Sequence, residues 1–238
     1  MNPKKSQLQE LAFKRKATQE FQGKYRQISE FHQGRYECDF VSPYTKTAGN
    51  LDSPLFILLQ DWASADFLEG SFRPEIQQHG REPHLATNTK LDKLVLAHFQ
   101  RPIAETFATN LFPFAKPGKM SSKIPAEDIV RCATEFAVPQ IEIIKPRLVI
   151  ALGLACFNAM RKAIDSGSKA HQQIAIAIEN PIDYRGVRIW CQAHTSPLGQ
   201  NTRNRRKDEQ VPKDRNHQVI EDWKTMAEWF KLERAISR

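Results

Sequence analysis

Four residues that could do chemistry stand where apolar runs end: Gln60 and Asp61 after LFILL, Asn110 inside ETFATNL, and His194 after VRIWCQA. The last of these opens the stretch HTSPLGQNTRNRRK, in which an imidazole, a turn and a run of arginines follow in order. A nucleic acid is one answer among others, because its bases carry polar atoms for a histidine and its strand carries phosphates for arginines. Whether acid, amide and imidazole meet on one rim depends on the elements that carry them.

The runs at residues 55–60, 105–111, 147–152 and 187–193 read as strands. LFILLQ and RLVIAL are almost unbroken apolar stretches, as expected of strands covered by helices on both faces of a parallel sheet. Helical periods lie between them. Ile129, Ala133, Phe136, Ala137, Ile141 and Ile144 recur at threes and fours over residues 126–144, with Pro139 as the place for a kink. Thr89 is a candidate cap for KLDKLVLAHF, and Val219, Trp223, Met226 and Phe230 stripe a final helix.

Strands alternating with helices predict an α/β fold, a three-layer αβα sandwich around a central, mostly parallel four-stranded sheet. The ligand site of such a sheet lies beyond the carboxyl ends of its strands. Gln60, Asp61, Asn110, Gly153 and His194 all fall there. Residues 1–50 are basic and carry Phe21, Tyr25 and Ile28 at helix-like spacing, which predicts a helical extension lying on a domain of residues 51–238. SPYTKTAGNLDSP, rich in turn formers, reads as the linker between them.

The 238 residues suffice for a core without disulfides or metals. A formal charge of +8 favours polyanionic partners, either nucleic acid or an anionic membrane surface. Only a weak apolar face accompanies the N-terminal lysines, no apolar run approaches the ~20 residues that cross a bilayer, and no signal-peptide core follows the start. The expectation is a cytoplasmic monomer, near the nucleoid if bacterial, that does not engage membranes. Cys38, Cys132, Cys156 and Cys191 are scattered without a CxxC pair, so buried free thiols are expected rather than a zinc ribbon. No Walker loop, GxSxG elbow or HExxH helix is present, which disfavours an unrelated α/β hydrolase or nucleotide-binding protein.

The block TNLFPFAKPGKMSSKIPAEDIVRCATEFAVPQIEIIKPRLVIALG, residues 109–153, resembles the thermophile-type branch of the uracil-DNA glycosylase superfamily. GREPHLATNTKLDKLV is similar to that branch's Gly-Arg-Pro-Phe segment and following helix, HTSPLG to the family's His-Pro-Ser-Pro-Leu motif, and QDW to the Gln-Asp-Pro of classical uracil excisers. The resemblance implies hydrolysis of the N-glycosidic bond of a damaged base that has been flipped out of DNA. Asp61 would then stabilise the sugar cation and hold the attacking water, and His194 would donate to the base oxygen on which charge develops. Asn110 would read the base edge, with Gln60 adding contacts and Trp62 or His84 offering a stacking surface. Ser196, Pro197 and Leu198 match a wedge that enters the minor groove, and Arg203, Arg205 and Arg206, with Lys207, Lys213 and Arg215, would bind phosphates. Plainer readings stand beside these: Asp61 as a turn cap, His194 in a strand-end network, Asn110 as a turn asparagine, His84 as an exposed loop residue, and the basic stretch as a solvated loop.

The sequence also departs from the family. Pro83 stands where an aromatic is expected, Leu59 where a glycine lets the backbone approach the base, and Trp62 where a proline follows the acid. The branch's iron–sulfur cluster needs a set of thiolates, of which only Cys132 matches, so neither a metal nor any other cofactor is expected. These departures sustain an alternative: a catalytically silent relative that binds DNA or a lesion without cutting the bond.

Overall fold

A computed structural model describes residues 2–19, 21, 23–204 and 217–236. The helices are α1 Pro3–Ala17, α2 Ala65–Glu69, α3 Pro74–His79, α4 Ala86–Phe99, α5 Ala126–Cys132, α6 Val138–Ile144, α7 Leu154–Ile164, α8 Ile174–Glu179, α9 Pro197–Asn204 and α10 His217–Ile236. The strands are β1 Leu55–Asp61, β2 Phe107–Phe112, β3 Leu148–Leu152, β4 Ile182–Tyr184 and β5 Val187–Gln192. They form one sheet in the order β2-β1-β3-β5-β4.

The four strands read from the sequence are mutually parallel, and the fold is the expected αβα sandwich. The fifth strand, β4, is a three-residue edge strand antiparallel to β5. Arg185 and Gly186, both at positive φ, close that hairpin with the two-residue turn that suits strand twist.

Two-sided burial explains the unbroken apolar runs. In β1, Phe56 and Leu58 enter one core with the helices α5 to α8, whereas Leu55, Ile57 and Leu59 enter another with α4 and α10. β3 divides in the same way, Val149 and Ala151 against Leu148, Ile150 and Leu152. The predicted stripe Val219, Trp223, Met226 and Phe230 is buried in the second core. A third apolar cluster, including Ile28, Phe31, Tyr36, Leu68 and Ile76, lies among the residues that follow β1 and precede it.

The kink at Pro139 is a π turn over Ala133–Ala137, joining α5 to α6. Proline has no N–H to donate to the carbonyl four residues back, and a widened turn accommodates that loss. Thr89 is not a cap: α4 begins at Ala86, and the Thr89 amide already donates to Leu85 O at 2.9 Å inside the helix. Phe21, Tyr25 and Ile28 are buried but do not share a helix: Phe21 and Tyr25 lie in turns after α1, and Ile28 opens a short 3-10 helix at Ile28–Glu30. Within the N-terminal segment buried Arg15 ties α1 to Glu37, and the segment is fastened to the domain by the Tyr25 hydroxyl donating to Asp128 Oδ2 at 2.6 Å and Lys4 Nζ donating to Leu51 O at 2.9 Å. The SPYTKTAGNLDSP stretch is also more than a linker, since Ser42 caps a 3-10 turn at Pro43–Lys46 and places Tyr44 and Ala48 in the core.

Candidate active site

The chain runs from β1 to β2 on one side and later returns past β1 to β3 on the other, so the sheet reverses direction beside β1. A crevice at the carboxyl ends is expected at such a switch point. A cleft of about 580 Å³ is found there, lined by Gln60, Asp61 and Trp62 from the end of β1, Asn110 from β2 and His194 beyond β5.

Asp61 is largely enclosed, and its nearest charge is not one the sequence points to. Lys116 Nζ lies 2.8 Å from Asp61 Oδ2, with side chains 4 % and 11 % exposed respectively. The same ammonium donates to Met120 O at 2.6 Å, and Gln60 Nε2 donates to Asp61 Oδ1 at 3.1 Å. Lys116 is held from its backbone as well, by Ala65 N donating to its carbonyl at 2.7 Å and by its own N–H donating to Ala63 O. No feature of FAKPGKM marks this lysine as buried; only its position over the end of β1 does.

His194 has its Nδ1 accepting from the Ser196 N–H at 3.1 Å. That bond leaves the ring proton on Nε2, the tautomer that can donate from the other side of the ring. Burial holds the imidazole below its ordinary pKa; Asp61 opposes this and Lys116 reinforces it. His194 is therefore a neutral donor at pH 7 and not a cation.

The SPLG stretch that follows is the start of a helix, where the sequence suggests a tight turn. Ser196 Oγ accepts from Gly199 N at 3.3 Å as the cap of α9, and Pro197 takes the first helical position. Leu198 is left 74 % exposed. Gly199 presses on the histidine: a Cβ there would stand 2.3 Å from His194 O and 2.9 Å from His194 Cβ. Gln200 Nε2 donates to His194 O at 3.1 Å, so the first turn of α9 fixes the backbone that carries the imidazole.

Asn110 is 1 % exposed, and its Oδ1 accepts from the buried Ser42 hydroxyl at 2.6 Å. The amide orientation is thereby set, with Nδ2 left as the donor for a ligand. Trp62 is pinned by its indole N–H donating to Gly80 O at 2.7 Å. Tyr44, Trp62 and Phe67 are the aromatic rings of the lining, and Leu59, 5 % exposed, adds an apolar wall. Tyr44 is packed between Arg81 and Asn88, donating to Asn88 Oδ1 at 3.3 Å and accepting from Arg81 at 3.0 Å. Burial pushes its phenol up to about 12.

His84 is exposed and is not part of the cleft lining; its neighbour Leu85 reaches the cleft instead. Arg203 makes a two-pronged ion pair with buried Asp222, at 2.6 and 2.8 Å, tying α9 to α10. Its guanidinium is occupied within the protein. Arg205, Arg206, Lys207, Lys213 and Arg215 lie outside the described residues.

The cysteines do not make a cluster site. Cys132, Cys156 and Cys191 are buried, where desolvation raises each thiol, and no group of three or more potential metal ligands occurs among the described residues. Among the described residues no helix is long and apolar enough to cross a membrane.

A mostly parallel sheet covered by helices, with an acid, an amide and an imidazole around one cleft at its carboxyl edge, defines the class as α/β. The profile of the uracil DNA glycosylase superfamily matches residues 43–216, well over half the chain, and the chain belongs to that superfamily. No curated protein matches it.

Proposed function

We propose that this chain is a monofunctional DNA glycosylase, hydrolysing the bond between deoxyribose and a flipped uracil or related damaged base. The observation that best supports the reading is that Asp61, Asn110 and His194 line one cleft at the carboxyl edge of the sheet. As the C1′–N bond breaks, positive charge grows on the sugar and the electron pair leaves with the base. The Asp61 carboxylate faces the first charge and orients the water whose oxygen bonds to C1′. The Nε2–H of His194 faces the second. Asn110 Nδ2 donates to a base carbonyl, and Leu198 fills the gap left by the flipped nucleotide, offsetting about a few kcal/mol of unstacking. The partner is DNA, single- or double-stranded, and the protein acts in the cytoplasm as a monomer without a cofactor.

Two observations favour a second reading, a silent lesion binder. Leu59 walls the cleft with a side chain, and Lys116 neutralises the carboxylate that the reaction needs. Excision from labelled single- and double-stranded oligonucleotides containing uracil, developed with alkali, separates the two. Strand breaks that vanish with Asp61→Asn support the glycosylase. Salt-sensitive binding without abasic sites on any of several damaged bases would leave the binder.

A further inference from the structure

The loop between β2 and α5, residues 117–124, carries none of the residues assigned above to catalysis or DNA binding, yet it forms one margin of the cleft through Met120, Ser121, Ser122 and Lys123. Its backbone is tied down. Lys116 Nζ holds Met120 O, Asp66 N donates to Gly118 O at 3.2 Å, and Ser122 N donates to Lys119 O at 2.9 Å. Gly118 sits at φ +73°, and a Cβ there would stand 2.9 Å from Ser122 Oγ.

Ile124 anchors the loop in the core, whereas Lys119, Met120, Ser121 and Lys123 are exposed. Neither lysine has an ion-pair partner among the described residues. By contrast the other basic groups of the lining are spent: Arg73 on Glu82, Arg81 on Asp92, and Lys116 on Asp61. Met120 is 44 % exposed between the two free lysines. A large apolar side chain flanked by unpaired cations on a fixed backbone suits a partner with regularly placed negative charges and apolar faces between them.

We propose that this loop is a second DNA-contacting lip, in which Lys119 and Lys123 meet backbone phosphates and Met120 packs on the sugar or base beside the flipped nucleotide. The proposal rests on the DNA-binding part of the proposed function and not on catalysis. Because Lys116 grips both Met120 O and Asp61, seating DNA on the lip also holds the catalytic carboxylate in register.

The test is binding of the full chain to a duplex carrying a tetrahydrofuran abasic analogue, followed by anisotropy across a salt series. Every phosphate that a variant no longer neutralises should reduce the log–log slope by about 0.9, so Lys119→Gln/Lys123→Gln should flatten it by about 2. Met120→Ala should weaken affinity several-fold at unchanged slope. Both changes are at exposed positions, and an unaltered thermal melt checks the fold. An unchanged slope in the double variant overturns the proposal, as does a wild-type chain that binds no duplex. The expected flattening in a protein that excises nothing retains the lip and removes only the glycosylase.

Discussion

Lys116 Nζ stands 2.8 Å from Asp61 Oδ2, and both side chains are nearly enclosed by the protein. A buried ion pair adds little net stability, but removing one partner strands the other charge. Lys116→Met should therefore cost about 3 kcal/mol in urea denaturation, at the low end for such pairs because Asp61 touches the cleft. Adding Asp61→Asn should recover part of that loss. Additive losses in this double-mutant cycle would show that the two groups do not interact.

Gly199 is the residue on which His194 leans. With Gly199→Ala, a Cβ 2.3 Å from the His194 carbonyl forces the loop aside. Displacement of a catalytic group by about 1 Å can cost 100-fold, so single-turnover excision should fall by about that factor. Affinity for an abasic-analogue duplex should change far less. A fully active Gly199→Ala would mean that the imidazole does not need this backbone held in place.

Arg203 offers a contrast with the free lysines of the β2–α5 loop. Its pair with Asp222 is buried, so Arg203→Ala should cost about 3 kcal/mol of stability. The salt dependence of DNA binding should stay as in the wild type. A slope reduced by about 0.9 would restore Arg203 as a phosphate ligand.

The depressed pKa of His194 has a defined consequence for stability. A histidine kept neutral by burial contributes fully above its unfolded value of about 6.5, and that contribution is lost as pH falls through the lower folded value. Wild-type protein should accordingly lose more stability between pH 7 and pH 5 than His194→Gln. Excision should likewise hold its plateau to pH values below about 6.5 before declining. Equal acid sensitivity of both proteins would argue against a neutral imidazole in the folded state.

Leu198 is exposed and packs on little. Leu198→Ala should leave stability within about 0.5 kcal/mol. It should slow excision from duplex DNA more than from single strands, where there is no stack to refill. Equal effects on both substrates would argue against a wedge.

The strands that build the platform can be read from local composition because burial on both faces forces an unbroken apolar run, and Leu55 to Leu59 or Leu148 to Leu152 satisfy that demand residue by residue. Asp61, Asn110 and His194 are legible for the same reason, since a parallel sheet delivers its strand ends to one edge. β4 escapes because three edge residues carry no periodicity, and α9 because Ser-Pro-Leu-Gly suits both a turn and a helix start. What the fold alone decides are the pairings across distance: Lys116 with Asp61, Ser42 with Asn110, Arg203 with Asp222. Each joins residues from different elements. A lysine in a loop reads as a surface charge until packing removes its water, and only then does it require a partner that its neighbours in sequence cannot provide.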